Sequence, residues 1–135
     1  MTEKVNVQMN RAGRFEPRGG SDAASMNPKE LLLYAAAQCA GQTAAAIMKR
    51  ERMTPKSFEI SVTGELSTET LRAESIFTRF HVVYNVACAG EADCAKASRA
   101  LELTHDTYCG LVQMLGRIAP VSREIAVVNM APAKV

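Results

Sequence analysis

The chain has 135 residues, of which 47% are hydrophobic and 22% charged, as in an ordinary globular protein. This length fits one domain over residues 1–135. Sixteen Lys and Arg against fourteen Asp and Glu leave a net charge of +2, and aromatic residues make up 5%. So small a charge and so few rings argue against nucleic acid or an anionic membrane as partner.

The sequence predicts neither a membrane span nor a secretion signal. Its longest uninterrupted apolar stretch, Leu31–Ala37, is far shorter than the roughly 20 residues that cross a bilayer. The opening residues Met1–Val5 lack the apolar core of a signal peptide. We therefore expect a cytoplasmic protein whose four cysteines are reduced at rest, without stable structural bridges.

Extended structure is predicted at the start of the chain. Val5, Val7 and Met9 alternate with polar neighbours, which indicates half-buried strands within residues 3–18. Residues 17–26 are predicted to form a loop because they are rich in glycine, serine and other small residues.

A long helix follows this loop. Asn27 is a capping residue, Pro28 suits the first helical position, and Glu30 stands where a capping box places its acid. The helix is predicted to run from Pro28 to about Met53, because Pro55 disfavours its continuation.

The composition of this helix predicts a dimer. Its polar side chains form one narrow stripe: Gln38, Gln42, Lys49 and Arg52. The remaining surface is apolar or small, so the helix requires burial on several sides. One small chain cannot easily supply that burial, and we expect two copies to pack around it.

The second half of the chain continues an α+β pattern. A break is predicted near residues 105–107. The predicted elements are an antiparallel strand pair at Ser57–Leu66 and Ser75–Ala87, a helix at Glu91–Thr104, a short helix at Tyr108–Ile118, a strand at Val121–Val128 and a tail at Ala131–Val135.

Two cysteines are candidates for thiol chemistry. Cys39 lies in the middle of the long helix, and Cys109 falls where a new helix begins. A helix N-terminus favours the thiolate form, because free N–H groups and the positive end of the dipole point there. Each cysteine is equally consistent with a small buried hydrophobic residue.

The other two cysteines carry no recognisable site. Cys88 and Cys94 are six residues apart, which does not match the usual metal-binding spacing. Adding His81 and His105 gives no recognisable zinc pattern, so no metal is expected. We predict that Cys88 and Cys94 are dispensable.

Two segments together resemble the OsmC/Ohr family of thiol-dependent hydroperoxide reductases. Met26–Cys39 is similar to that family's Asn-Pro opening of a central helix that leads to a reactive cysteine. Tyr108–Leu111 is similar to the segment around its second cysteine. The resemblance implies antiparallel sheets around a long central helix in an intertwined homodimer. The Lys29-Glu30 pair looks more like the less characterised OsmC-like branch.

The resemblance also implies a reaction and its partners. Cys39 would reduce an organic hydroperoxide and become a sulfenic acid, Cys109 would condense with it to a disulfide, and an external thiol would restore both. No cofactor is implied. We expect Leu31–Leu33, Tyr34 and Met114 to line an apolar pocket. The alternative is a non-catalytic thiol switch, or a dimer that binds a small apolar ligand.

The sequence departs from the family pattern at the helix start. The better-known peroxidases carry an acid directly after Asn-Pro, paired with an arginine, whereas this chain has Lys29 there. Glu30 follows on the helix face opposite Cys39, so capping is its expected role. Of the three N-terminal arginines, Arg18 is our preferred thiolate stabiliser over Arg11 and Arg14.

Overall fold

The computed structural model describes residues 1–19 and 22–131. A short 3-10 turn precedes the first long helix, and a π-helical turn joins the last two helices. The elements are β1 (Thr2–Met9), β2 (Phe15–Pro17), the 3-10 turn (Ala23–Ser25), α1 (Pro28–Arg50), β3 (Ser57–Leu66), β4 (Phe77–Cys88), α2 (Glu91–Leu103), the π-helical turn (Thr104–Tyr108), α3 (Gly110–Ile118) and β5 (Val121–Asn129). The predicted α+β class is confirmed.

The five strands form one sheet in the order β2-β1-β3-β4-β5. The pairings β1–β2, β1–β3 and β3–β4 are antiparallel, but β5 runs parallel to β4. The expectation of purely antiparallel sheets is therefore wrong for the last strand. The connection explains the difference, because α2, the π-helical turn and α3 return the chain to the starting end of β4, as a parallel pair requires.

The alternating strand pattern produces one strongly apolar sheet face. Val62 of β3 stands between Val5 of β1 and Val82 of β4, and all three are buried. Phe58 and Ile60 lie on the same face of β3 and are buried as well. Burial of one such side chain stabilises the fold by about 1.5–3 kcal/mol. Helix α1 packs on this face of the sheet.

A capping box starts α1, as predicted. The Asn27 side chain accepts a hydrogen bond from the backbone N–H of Glu30 at 2.9 Å, and the Glu30 carboxylate accepts one from the backbone N–H of Asn27 at 3.2 Å. The helix ends at Arg50 rather than near Met53. Arg52 leaves the helical path with a φ of 57°, so it does not belong to the polar stripe of α1.

Small residues bring α1 close to the sheet. A Cβ atom at Gly41 would lie 2.8 Å from the ring of Phe15, so a glycine is needed for β2 to approach this closely. Gly64 of β3 similarly leaves room for Phe77 and Leu33. The buried face of α1 is Leu33, Ala36, Ala37, Ala40, Gly41, Ala44 and Met48.

The described residues leave part of the α1 surface uncovered. Leu31 and Leu32 remain about two-fifths exposed, at 40% and 37%. By length and mean hydropathy alone, α1 also meets the criteria for a membrane-crossing helix, with 39% of its most apolar window buried. The longest uninterrupted apolar stretch does not predict this property of α1. Scattered polar residues interrupt the stretch, but the mean hydropathy of the helix stays high.

The remaining element boundaries shift by a few residues. β4 begins at Phe77, because Ser75 turns into the preceding loop and accepts a hydrogen bond from the backbone N–H of Arg72 at 3.0 Å. The predicted break is the π-helical turn, and α3 begins at Gly110. Of the predicted tail, residues 132–135 lie outside the described residues, as do residues 20 and 21 of the predicted loop.

Cys88 and Cys94 are joined by a disulfide, with their Cα atoms 5.6 Å apart. The expectation that all four cysteines are reduced thiols is therefore wrong for this pair. Cys88 ends β4 and Cys94 lies in the first turn of α2. The turn at Gly90, with a φ of 95°, folds α2 back so that the two side chains meet, which a spacing of six residues does not reveal.

Candidate functional site

Cys39 occupies the fourth turn of α1 and is half-buried. It follows the buried Ala36 by three residues and precedes the half-buried Thr43 and Ile47, so it lies at the border between the core face and the open side of the helix. A sulfur in this position is in contact with the interior and also accessible from one side.

Cys109 lies at the junction of the π-helical turn and α3, where it is the N-cap residue. Its backbone N–H donates to the carbonyl of Thr104 at 2.9 Å and closes the wide turn. Its side chain is fully buried. π-helical turns are rare and occur often at functional sites, and this one directs the second cysteine inward, toward α1.

The structure brings the two predicted cysteines together. Both are free thiols, and Cys39 lies near enough to Cys109 to influence its pKa. Burial is the largest cause that raises the pKa of Cys109, to about 12, and the neighbouring Cys39 raises it further. The backbone N–H groups of Val112 and Leu111, at the start of α3, act in the opposite direction. Cys109 is therefore held as a neutral thiol beside Cys39.

A buried polar pair lies next to Cys109. The hydroxyl of Tyr84 and Nδ1 of His105 share a hydrogen bond of 2.8 Å, and their rings meet edge to face with centroids 5.6 Å apart. Burial raises the pKa of Tyr84, and the nearby Cys109 raises it further. Burial also lowers the pKa of His105. Both groups are therefore neutral at pH 7.

Further hydrogen bonds hold this polar pair in the fold. The side chain of Gln113 in α3 donates to the backbone carbonyl of His105 at 2.8 Å. Asp106 forms a salt bridge with Arg123 of β5 at 3.3 Å. The turn that carries Cys109 is thus attached to β4, α3 and β5, which restricts where the sulfur can go.

Arg18, the arginine preferred as thiolate stabiliser, is bound to a residue outside the cysteine pair. Arg18 forms a salt bridge with Glu59 at 3.1 Å. Glu59 alternates along β3 with the buried Phe58 and Ile60, so it points away from the face on which α1 packs. The choice of Arg18 as thiolate stabiliser is not supported within the described chain, because one sequence cannot show which side of a sheet an arginine will reach.

The other residues at the start of α1 do not point at the sulfurs. Lys29 donates to the backbone carbonyl of Ala73 at 3.4 Å, and Glu30 is used in the capping box. Leu33 is fully buried against the sheet, so its assignment to a pocket wall is wrong. Tyr34 accepts a hydrogen bond from Gln38 at 2.9 Å, and Met114 is 59% exposed.

A cleft of about 650 Å³ lies near the two cysteines, and neither sulfur is part of its wall. Its walls come from α1, α2 and the π-helical turn, and they begin one turn along α1 from Cys39 and one residue before Cys109. The lining is mixed, with Thr43, Ile47, Arg50, Arg99, Leu103 and Tyr108 among the wall residues. Among the described residues no cluster of three or more His, Cys, Asp or Glu is placed to hold a metal ion.

Sequence reasoning missed the Tyr84–His105 pair. Tyr84 stands at a core position of a strand, and the sequence pattern indicates for His105 only a break and an unsupported zinc set. The available signal was the polar run of residues 104–107 directly before Cys109, since a polar segment that leads into a buried cysteine must hydrogen-bond within the core.

Comparisons with known proteins agree on one family. Residues 19–124 match the family described as OsmC-like protein. Protein YhfA of Escherichia coli strain K12 is 27% identical over 110 residues, which cover 82% of this chain and 79% of YhfA.

Solved structures agree on the fold. An OsmC-like protein from Mycoplasma pneumoniae superposes with a TM-score of 0.62 at 13% identity, over 96% of this chain and 98% of that one. The organic hydroperoxide resistance protein OhrB of Bacillus subtilis gives 0.55 at 17% identity, over 93% and 97%. The family match spans most of the sequence, from the loop before α1 to the start of β5, and this chain therefore belongs to the OsmC-like family.

Proposed function

We propose that the protein is a thiol-dependent peroxidase that reduces organic hydroperoxides. The observation that carries this proposal is the meeting of Cys39 and Cys109, two free thiols 70 positions apart in the sequence, beside one cleft. Similar folds occur in proteins named for organic hydroperoxide resistance, such as OhrB, which supports the choice of substrate class.

The reaction proceeds in three balanced steps. The thiolate of Cys39 attacks the outer oxygen of the hydroperoxide, the O–O bond breaks, and Cys39 becomes a sulfenic acid, while the departing alkoxide takes a proton from water and leaves as the alcohol. Cys109 then attacks the sulfenic sulfur, and the hydroxyl leaves as water with the Cys109 proton. An external thiol reduces the resulting disulfide by two successive exchanges, with its own oxidation to a disulfide.

The surroundings of the Cys39 and Cys109 sulfurs support these two different roles. Cys39 is half-buried, so it is the less enclosed of the two sulfurs and the better placed to attack first. Cys109 is buried and protonated, so it is a poor first nucleophile but a suitable donor to the Cys39 thiolate. The N–H groups of Val112 and Leu111 stabilise the Cys109 sulfur when it gives up its proton in the second step.

A homodimer completes the proposed assembly. The open side of α1 carries Leu31 and Leu32, and α3 carries Met114 and Ile118, with exposures between 37% and 59%. Apolar groups on adjacent helices favour association with a second copy. A cytoplasmic location, where external thiols are abundant, fits the reductive step and is part of the proposal.

Peroxide consumption tests the proposal. Reduced protein mixed with cumene hydroperoxide and dithiothreitol should turn over, and Cys39→Ser should abolish the activity. Without dithiothreitol, Cys109→Ser should consume one equivalent of hydroperoxide and accumulate a trappable sulfenic acid. A variant with serine at Cys88 and Cys94 is the matched control and should keep turnover. If Cys39→Ser consumes peroxide as fast as the parent protein, the mechanism is wrong.

One observation favours a second function, a non-catalytic thiol switch. Among the described residues, the preferred arginine Arg18 is bound to Glu59, and Lys29 stands where the better-known peroxidases carry their acid. A switch forms the Cys39–Cys109 disulfide once and does not cycle. Thiol titration together with hydroperoxide consumption separates the two functions. With dithiol in excess, a switch still consumes one equivalent of hydroperoxide, whereas a peroxidase continues to turn over.

A further inference from the structure

We propose that Cys88 and Cys94 form a second redox site, which exchanges two electrons with external dithiols independently of Cys39 and Cys109. The two sulfurs are bonded to each other across the turn between β4 and α2. Nothing in the proposed peroxidase cycle uses them, so the inference stands whether or not that cycle is correct.

The bridge stabilises the fold less than a bridge between distant residues would. It closes a loop of only six residue steps, and a short loop restricts the unfolded chain least. Backbone hydrogen bonds already hold the turn: the N–H of Cys94 donates to the Gly90 carbonyl at 3.0 Å, and the N–H of Met130 donates to the Cys88 carbonyl at 2.7 Å. The folded protein can therefore keep its shape when the disulfide opens.

The fold also accommodates Cys88 and Cys94 as two separate thiols. Both sulfurs lie near one backbone carbonyl, that of Val128 in β5, at 3.5 Å from Cys88 and 4.0 Å from Cys94. A thiol is a weak donor that behaves as a small apolar group when buried. The Val128 carbonyl is an acceptor within reach of Cys88 and at the limit of reach of Cys94, so the dithiol state carries no large cost of burial.

The two sulfurs differ in accessibility, which assigns the point of attack. Cys88 is fully buried at the end of β4, whereas Cys94 is half-buried in the first turn of α2. The half-exposed sulfur is the one that an incoming thiolate can reach. Reduction therefore begins at Cys94, and the inaccessible Cys88 is the leaving group.

The exchange balances as follows. One thiolate of the dithiol attacks Sγ of Cys94, the Cys88–Cys94 bond breaks, and Cys88 leaves as a thiolate that takes up the proton released by the dithiol. The second thiol of the reductant then attacks its own sulfur in the mixed disulfide, which releases Cys94. The protein gains two thiols, and the dithiol is oxidised to a cyclic disulfide.

A variant with serine at Cys39 and Cys109 isolates this site. It is equilibrated in graded ratios of reduced to oxidised dithiothreitol, trapped by alkylation, and counted by mass spectrometry while circular dichroism monitors the fold. We expect both thiols to appear together in one two-electron transition with the fold retained. A bridge that opens only when the protein unfolds would overturn the proposal, as would two free thiols at every ratio.

Single variants test the assigned point of attack. In the same background, Cys88→Ser leaves Cys94 as the lone thiol, and Cys94→Ser leaves Cys88. Cys94 should react with iodoacetamide at least about tenfold faster than Cys88, because rates follow thiolate access. Equal rates, or a faster Cys88, would contradict attack at Cys94. If the background variant fails to fold, peptide mapping of the parent protein in the same buffers gives the same readout.

Discussion

The hydroxyl of Tyr84 lies 2.8 Å from Nδ1 of His105, and the two side chains share this hydrogen bond in the part of the core that contains Cys109. Because His105 belongs to the turn that ends at Cys109, the bond connects β4 to the position of the sulfur. The pair is neutral and buried, so each polar atom depends on the other for a partner.

Tyr84→Phe should therefore destabilise the protein. The variant leaves Nδ1 of His105 buried without a partner, which costs about 1–3 kcal/mol in unfolding free energy. Urea denaturation measures the loss. Tyr108→Phe is the matched control, since Tyr108 is 62% exposed and its variant should unfold with the parent. An unchanged midpoint for Tyr84→Phe would mean that the pair is not formed in solution.

The two free cysteines should differ in reactivity. In reduced, folded protein at pH 7.5, iodoacetamide should modify Cys39 at least about tenfold faster than Cys109, because Cys109 is buried and its pKa is raised to about 12. Peptide mapping over time gives both rates. In urea the difference should disappear. Faster modification of Cys109 would reverse the roles proposed for the two sulfurs.

Cys109 should also make the fold sensitive to alkali. The folded protein holds the Cys109 proton up to about pH 12, whereas an unfolded cysteine releases it near pH 8.5. Unfolding therefore releases a proton between these values, and stability falls as pH rises, by at most about 1.4 kcal/mol per pH unit from this group. Below about pH 8.5 the effect vanishes.

Comparison with Cys109→Ser isolates this contribution. The variant should lose stability less steeply than the parent above about pH 8.5, by roughly the same slope. Denaturation under reducing conditions at several pH values measures both curves. Tyr84 remains in both proteins, and because burial is the largest cause that raises its pKa, most of its contribution is common to the two curves. Parallel curves would show that Cys109 titrates normally in the folded state.

Glu30 should have no direct role in thiol chemistry. Glu30→Gln keeps an oxygen that accepts the N–H of Asn27, so the rate of Cys39 with cumene hydroperoxide should stay within about twofold of the parent rate. Asn27→Ala is the structural control and should lower stability by about 1 kcal/mol without affecting that rate. A tenfold slower reaction of Glu30→Gln would show that its negative charge acts on the sulfur.

Local rules explain which elements were predictable. The capping box at Asn27 and Glu30 depends on atoms within three residues of each other, and the strand at Ser57–Leu66 depends on a repeat of two. Both were confirmed because such patterns specify backbone geometry without reference to the rest of the chain. The meeting of Cys39 and Cys109 followed only from the resemblance to a family, since no spacing connects them.

Long-range contacts explain what was not predictable. Arg18 had several acidic partners available, and only the sheet register placed it against Glu59. Cys88 and Cys94 were close in sequence, but the reversal at Gly90 decided that they bond. The parallel pairing of β5 likewise depends on how far α2 and α3 carry the chain before it returns.

The amino-acid sequence by itself determined the helices, most strand positions and the two cysteines worth testing, because periodicity and capping operate over a few residues. Only the tertiary structure decided which thiols are neighbours, which are bonded and which polar groups surround them. Burial and electrostatic environment are properties of the space that several distant segments enclose, and no single segment encodes them.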